Sequence, residues 1–303
     1  SSQLRKAMAD DLFSIKNEFY LGNYQGAINE AQSADLELSS PNDERDRDVI
    51  VYRSYIALGE YEVVQSEIAE DAQTALQAVK LLATFLSSKD NEEIVMVTLK
   101  EWLSDPQSQN NPTLLLVAGI IHLHRNELEE AAKALHAGTT LEMVSLQVQV
   151  YLRMARVDIA EKSLSLMSKM EDDATLTQLT TAWVNLALGG EKVQEAFYVF
   201  QELADKYNET PLLLNGMASA QMHMGKFEEA EKYLLKALQK SSSDTQTLQN
   251  LVVCSQHTRK APEVVNRYLA SLSRSAPSCS VVHRRSKLEK DFDAAAAGFK
   301  ASA

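Results

Sequence analysis

The segment Thr210–Asp244 constrains the fold of this chain more than any other. Two amphipathic helical patterns flank the turn Met224-Gly225-Lys226. Ala218 occupies a small-residue position on the first helix, and Phe227 follows the turn. Ala230, Leu234 and Ala237 then recur along the second helix at the spacing of one face. A two-helix unit with a period of about 34 residues cannot bury its apolar face alone, so it is stable only when stacked on further copies. The rest of the chain must contain them.

Weaker copies do recur, each marked by a small or polar residue, an aromatic or aliphatic residue two places on, and a small residue three places beyond that. They begin at Gly22 (with Tyr24 and Ala27), Gly59 (Tyr61, Val64), Asn126 (Leu128, Ala131), Ala155 (Val157, Ala160), Glu191 (Val193, Ala196) and Arg259 (Ala261, Val264). With Ala230 included, the closing residues are 29 to 37 apart, except for one double gap of 67 that hides a further unit near Ile94–Val97. This is the pattern of a tetratricopeptide-type array. It predicts an all-α, right-handed tetratricopeptide-like helical-hairpin solenoid of about eight hairpins. The expected division is an array over 1–272 and a linker with a terminal helix over 273–303, because Pro277 breaks the pattern and a charged, then Ala-rich, helical stretch follows.

Composition agrees. Only 10 glycines and 6 prolines punctuate 303 residues, and no segment alternates over the length of a strand. The net charge of −12 argues against a nucleic-acid binder, which needs cations at phosphates. A local exception runs from Arg259 to Asp293, where eight Lys or Arg face four acids. That stretch suits either a solvated helix face or an acidic partner or lipid headgroup. Cys254 and Cys279 make neither a disulfide framework nor a zinc site, and Cys254 falls in an apolar run as a small core residue. No apolar run is long enough to span a bilayer. No secretory signal is visible either, so a cytosolic protein is the expectation.

Catalytic and cofactor chemistry find no support. His122 and His124 are two apart and do not share a helix face, which predicts one buried and one exposed ring. Gly189-Gly190-Glu191-Lys192 lacks phosphate-loop spacing and sits where a repeat turn belongs. The acids at Asp43–Asp48 and Glu171–Asp173 precede or open helices, where negative charge is favourable. On the second helix of the strongest copy, Glu228 and Lys232 are expected to pair at i,i+4. The expectation is a binding scaffold, not an enzyme, with no metal or cofactor.

Four stretches are more specific than the repeat pattern. LFSIKNEFYLGNYQGAINEAQ (12–32), RDVIVYRSYIALGEY (47–61), DDATLTQLTTAWVNLALGGEKVQEAFYVFQELADKY (172–207) and TLQNLVVCSQH (247–257) resemble the epsilon subunit of coatomer, the cytosolic coat of COPI vesicles. The resemblance implies a non-catalytic coat subunit that closes around a projecting element of the alpha subunit and binds that subunit's C-terminal region. It also implies indirect contact with the other coatomer subunits, peripheral membrane association through the assembled coat, and a place in Golgi-to-ER and intra-Golgi transport.

In repeats of this type the first helix of each pair lines the concave side. Counting back from each turn residue places Lys16, Phe19 and Tyr20 there in the first copy and Arg53 and Ile56 in the second. Leu116, Ile120 and Leu123 follow in the fourth, Leu212, Asn215 and Met222 in the strongest, and Val253 in the last. In the first copy the count also reaches Ala9. These residues are the candidate partner-binding face. Most are apolar, which suits a hydrophobic protein segment. The competing expectation, a tetratricopeptide adaptor or co-chaperone for acidic peptide tails, needs cations and amides at these places and finds only Lys16, Arg53 and Asn215.

Overall fold

The computed structural model describes residues 12–302 apart from 34, 35, 37, 39 and 278; Ala9 lies outside them. The described residues form helices and turns, with no strand among them. In chain order the helices are α1 Phe13–Tyr20, α2 Tyr24–Ala31, α3 Pro41–Leu58, α4 Tyr61–Glu67, α5 Thr74–Ser87, α6 Glu92–Ser104, α7 Pro112–His124, α8 Leu128–Ala134, α9 Leu141–Arg153, α10 Val157–Glu171 and α11 Thr175–Leu188. Then come α12 Lys192–Lys206, α13 Pro211–His223, α14 Phe227–Lys240, α15 Thr245–His257, α16 Pro262–Ser275 and α17 Ser280–Ser302. The chain falls into two compact units that divide between Leu188 and Gly189.

The turn between paired helices has one recurring geometry. Gly22, Gly59, Asn126, Ala155, Gly225 and Arg259 all take a left-handed backbone, with φ between 54° and 86°. Each lets its own N–H and the next one reach back to carbonyls of the helix just ended. At Gly225 these bonds are Gly225 N to Met222 O and Lys226 N to Gln221 O, both 2.9 Å. The turn between α11 and α12 uses Gly189 and Gly190 instead. Between α5 and α6 the chain makes a short 3₁₀ turn, Lys89–Asn91, after an extended Ser88. The hairpin expected near Ile94–Val97 is therefore present, but its turn follows a different rule.

Close packing behind the turns explains the small residues. Ala27, Val64, Ala131, Ala160, Ala196 and Ala230 are all 0% exposed. The first helix of the strongest copy also comes close to its predecessor: a Cβ on Gly216 would stand 2.7 Å from the Phe200 ring. Helix starts are fixed by side chains. The Ser40, Asn111, Thr140, Thr210 and Asp244 side chains each accept a backbone N–H of the first turn. Lys232 pairs with Glu229 at 2.7 Å rather than with Glu228, the i,i+3 neighbour having the better reach. Cys254 is fully buried, and burial, with Glu231 nearby, pushes its thiol up to about 11, so it stays protonated. The half-buried His122 ring lies 2.8 Å from a Glu127 oxygen, while His124 sits edge-on to Phe85 at the helix end.

Two substitutions separate turn strain from crowding. Gly225→Val meets no atom but forces a β-branched residue into the left-handed region, and should cost about 1–2 kcal/mol. Gly216→Ala gains helix propensity but drives a methyl to 2.7 Å from the Phe200 ring; overpacking near the middle of the usual range of about 1–3 kcal/mol, less about 1 kcal/mol of propensity, leaves a net loss of about 1 kcal/mol. Urea denaturation checks both, and equal stability of Gly216→Ala and the parent chain would show that Phe200 can move aside.

Candidate partner-binding site

The helices that precede the turns of the first unit form a closed circle. α1 packs on α3, α3 on α5, α5 on α7, α7 on α9 and α9 on α11, and α11 returns to α1. Beside this last contact the half-buried Tyr20 packs on a cluster that includes Leu176 of α11 and Val144 and Val148 of α9. A tetratricopeptide-like array curves because each hairpin is rotated on the one before. Here the curvature brings a helix starting at Thr175 back onto one ending at Tyr20.

The circle encloses a cavity of about 380 Å³. α1 contributes Phe13, Lys16, Asn17 and Tyr20 to its wall, and α3 contributes Arg45, Asp46, Val49, Ile50 and Arg53. The other four helices present their first turns: Ala75 from α5, Thr113 and Leu116 from α7, Leu141 and Glu142 from α9, and Thr175 and Leu176 from α11. The wall is thus mixed. Apolar groups alternate with charges and with amide and hydroxyl groups, as in a surface that positions a protein segment as well as excluding water.

One interaction crosses this space. Arg53 on α3 donates to both oxygens of Glu142 on α9, Nη1 to Oε2 at 3.0 Å and Nη2 to Oε1 at 2.5 Å. The two side chains are 10% and 24% exposed. The guanidinium also lies 4.7 Å from the centre of the Phe19 ring on α1. Burial alone would make the arginine easier to deprotonate, but the charge and hydrogen bonds of Glu142, with Tyr20 and Tyr24 nearby, together outweigh it and raise its proton affinity. A bidentate, poorly hydrated pair of this kind is directional, and removing either partner strands the other.

The structure brings Lys16, Tyr20, Arg53 and Leu116 together at the cavity. Phe19 packs beside it in a cluster with Leu12, Ile15 and Ile50. Ile56 is 7% exposed and belongs to the core formed with Val64, Val79 and Leu82, so the folded chain already covers it. Ile120 and Leu123 are half-buried against Ala131, Leu135 and Met143. In the second unit Leu212 and Met222 are half-buried, and Val253 is 42% exposed. Asn215 is 1% exposed and fully engaged: its Nδ2 donates to Pro211 O (2.9 Å), Asp244 Oδ2 (3.2 Å) and Thr247 Oγ1 (2.8 Å), and its Oδ1 accepts from Asn250 (3.1 Å). With Arg53 held by Glu142 and Asn215 consumed internally, a carboxylate-clamping groove lacks two of its three expected polar groups.

Sequence reasoning missed Glu142, although the signal was available. The backward count from Ala155 that was applied to the other turns arrives at Glu142. Phe13, Asn17 and Leu176 carried no such mark, because they reach the cavity only through closure of the circle. Among the described residues no group of His, Cys, Asp and Glu could hold a metal ion, and no helix is long and apolar enough to cross a membrane.

These features define a tetratricopeptide-like helical-hairpin scaffold. Among solved structures, a tetratricopeptide repeat protein from Parabacteroides merdae superposes with a TM-score of 0.60 at 14% identity, over 86% of this chain and 96% of that one. The family is shown by sequence. The profile of the coatomer epsilon subunit matches residues 8–300. Coatomer subunit epsilon-1 of Arabidopsis thaliana is 48% identical over 96% of this chain and 97% of its own length. Coatomer subunit epsilon of Dictyostelium discoideum is 35% identical over 89% and 92%. The chain belongs to the coatomer epsilon subunit family and is a subunit of the COPI vesicle coat.

If Asn215 serves the fold and not a ligand, Asn215→Ala should destabilise the second unit by about 1–3 kcal/mol, because Thr247 and Asn250 lose their buried partner. Its affinity for other coat subunits should stay at the parental level in a titration below the unfolding temperature.

Proposed function

We propose that this chain is a non-catalytic structural subunit that holds the C-terminal region of the coatomer alpha subunit and stabilises it within the coat. It would act in retrograde Golgi-to-ER and intra-Golgi transport, in the cytoplasm and peripherally on Golgi and COPI membranes. The observation that carries the reading is the circle of six helices around a cavity with a mixed apolar and polar wall. A helical scaffold of a coat family with such an opening is suited to grip an inserted protein segment. Family membership supports a coat subunit as the partner, and the cavity is the surface proposed to receive it. Under this reading the array over 1–272 does the holding, and 273–303 is a linker with a terminal helix.

Phe13 is the informative position to test. It lines the cavity yet is 51% exposed, so replacing it costs the free chain little. Phe13→Glu combined with Lys16→Glu should lower affinity for a C-terminal alpha fragment by about a hundredfold, the equivalent of losing one fully desolvated aromatic contact of roughly 2–3 kcal/mol. Calorimetric titration reads the affinity, with circular dichroism as the folding control. Parental binding by the folded double variant would place the contact elsewhere, and Met222→Glu with Val253→Glu would then test the second unit.

A further inference from the structure

The circle of first helices contains one contact unlike the others. Five of its six contacts join helices that follow one another in the series. The sixth, α11 on α1, joins helices far apart in sequence; beside it Tyr20 of α1 packs on a cluster that includes Leu176 of α11 and Val144 and Val148 of α9. With no consecutive repeat bridging it, this seam is where the circle is easiest to open.

The Arg53–Glu142 pair spans the cavity between the two arcs that meet at the seam. α3, which carries Arg53, is the immediate neighbour of α1, and α9, which carries Glu142, is the immediate neighbour of α11. Arg53 also touches α1 itself through the Phe19 ring. Pulling α1 away from α11 therefore loads the ion pair. Any segment thicker than the space beside the pair must either part it or enter along the axis.

We propose that the Arg53–Glu142 pair is a strut that holds the α1–α11 seam shut, and that its parting gates exchange of the alpha-subunit segment at the cavity. Arg53 and Glu142 are then gating residues whose loss speeds both entry and exit, because each is engaged by the other, while affinity is set by wall residues outside the pair, such as Phe13 and Lys16. The kinetic half of this proposal rests on the function proposed above; the mechanical half concerns the chain alone.

Glu142→Gln keeps the shape and removes the charge. In the chain alone, amide hydrogen exchange in α1 and in the first turns of α11 should rise by about tenfold, with α5 and α7 unchanged, as for a local opening that lost one stabilising contact. Against an alpha C-terminal fragment in stopped flow, association and dissociation should both rise by about tenfold while Kd moves less than about threefold. The charge-swapped double variant Arg53→Glu with Glu142→Arg should return both readouts toward the parent. Unchanged exchange at α1 and α11 would overturn the strut whether or not the fragment binds. Faster dissociation with unchanged association would overturn the gate and make Glu142 a partner contact. Absence of binding by the parent chain would sink the proposed function and leave the exchange result standing on its own.

Discussion

The fold depends on the close approach of paired helices at one small residue per hairpin. Ala27, Val64, Ala131, Ala160, Ala196 and Ala230 are shut off from solvent, and the turn before each is short enough to bring the helices together at that level. Interiors packed at crystal-like density leave no room for a larger group there. The left-handed turn residue and the small residue are two halves of one device: the first reverses the chain within a few residues, and the second lets the returning helix come down against its partner. Where the turn residue is Asn126, Ala155 or Arg259 rather than glycine, the same φ is held against its ordinary preference. The packing behind the turn, not the residue's own propensity, must then supply the difference.

Repetition of this device in the first unit has a consequence that no single hairpin carries. Successive rotations bring α11 back to α1, and what would be an open concave groove becomes an enclosed space. Residues that count as groove positions repeat by repeat are then sorted by the circle. Some line the cavity, as Lys16 and Leu116 do; some become core, as Ile56 does. The helix ends matter as much as the faces, since four of the six helices contribute only their first turns to the wall. Two of these four N-termini are capped by side chains, with Asn111 accepting from Thr113 and Leu114 and Thr140 accepting from Met143. The starts of α7 and α9 are thereby fixed before any partner arrives, which reduces the entropy lost on binding there.

Much of this was legible in the chain because the signals are local. The hairpins, the small residues, the structural cysteine and the Asp244 cap can each be read from residues within one repeat. The α5–α6 hairpin was harder: its 3₁₀ turn after Ser88 needs neither a glycine nor a left-handed residue, so the turn marker is absent. Closure could not be read from the residues themselves and entered only as what the family resemblance implies. It arises from small rotations accumulated over several hairpins, and its chemical trace is a pair 89 positions apart, Arg53 and Glu142. Each is an ordinary charged residue on a helix, and nothing near either one announces the other. The resemblance of 12–32 and 172–207 to one family implied an array that closes around a partner, but not which helices meet or which charges pair across the space.

The two units deal differently with polar groups on their first helices, and the difference bears on where a partner can act. In the second unit the buried amide of Asn215 is spent on neighbours one repeat away: it reaches Asp244, Thr247 and Asn250 on the adjoining helix and its cap, so α13 and α15 are tied together at this level. Such a ladder fixes the register between consecutive repeats and leaves nothing to rearrange when a ligand arrives. In the first unit the corresponding charge looks across the cavity. Arg53 is satisfied by a residue three hairpins on, through a space that a protein segment could occupy. A short-range ladder can only stabilise the stack, whereas a cross-cavity pair couples the stability of the closed circle to whatever enters it. Adaptability in this chain is therefore concentrated where curvature, rather than adjacency, supplies the partner for a buried charge.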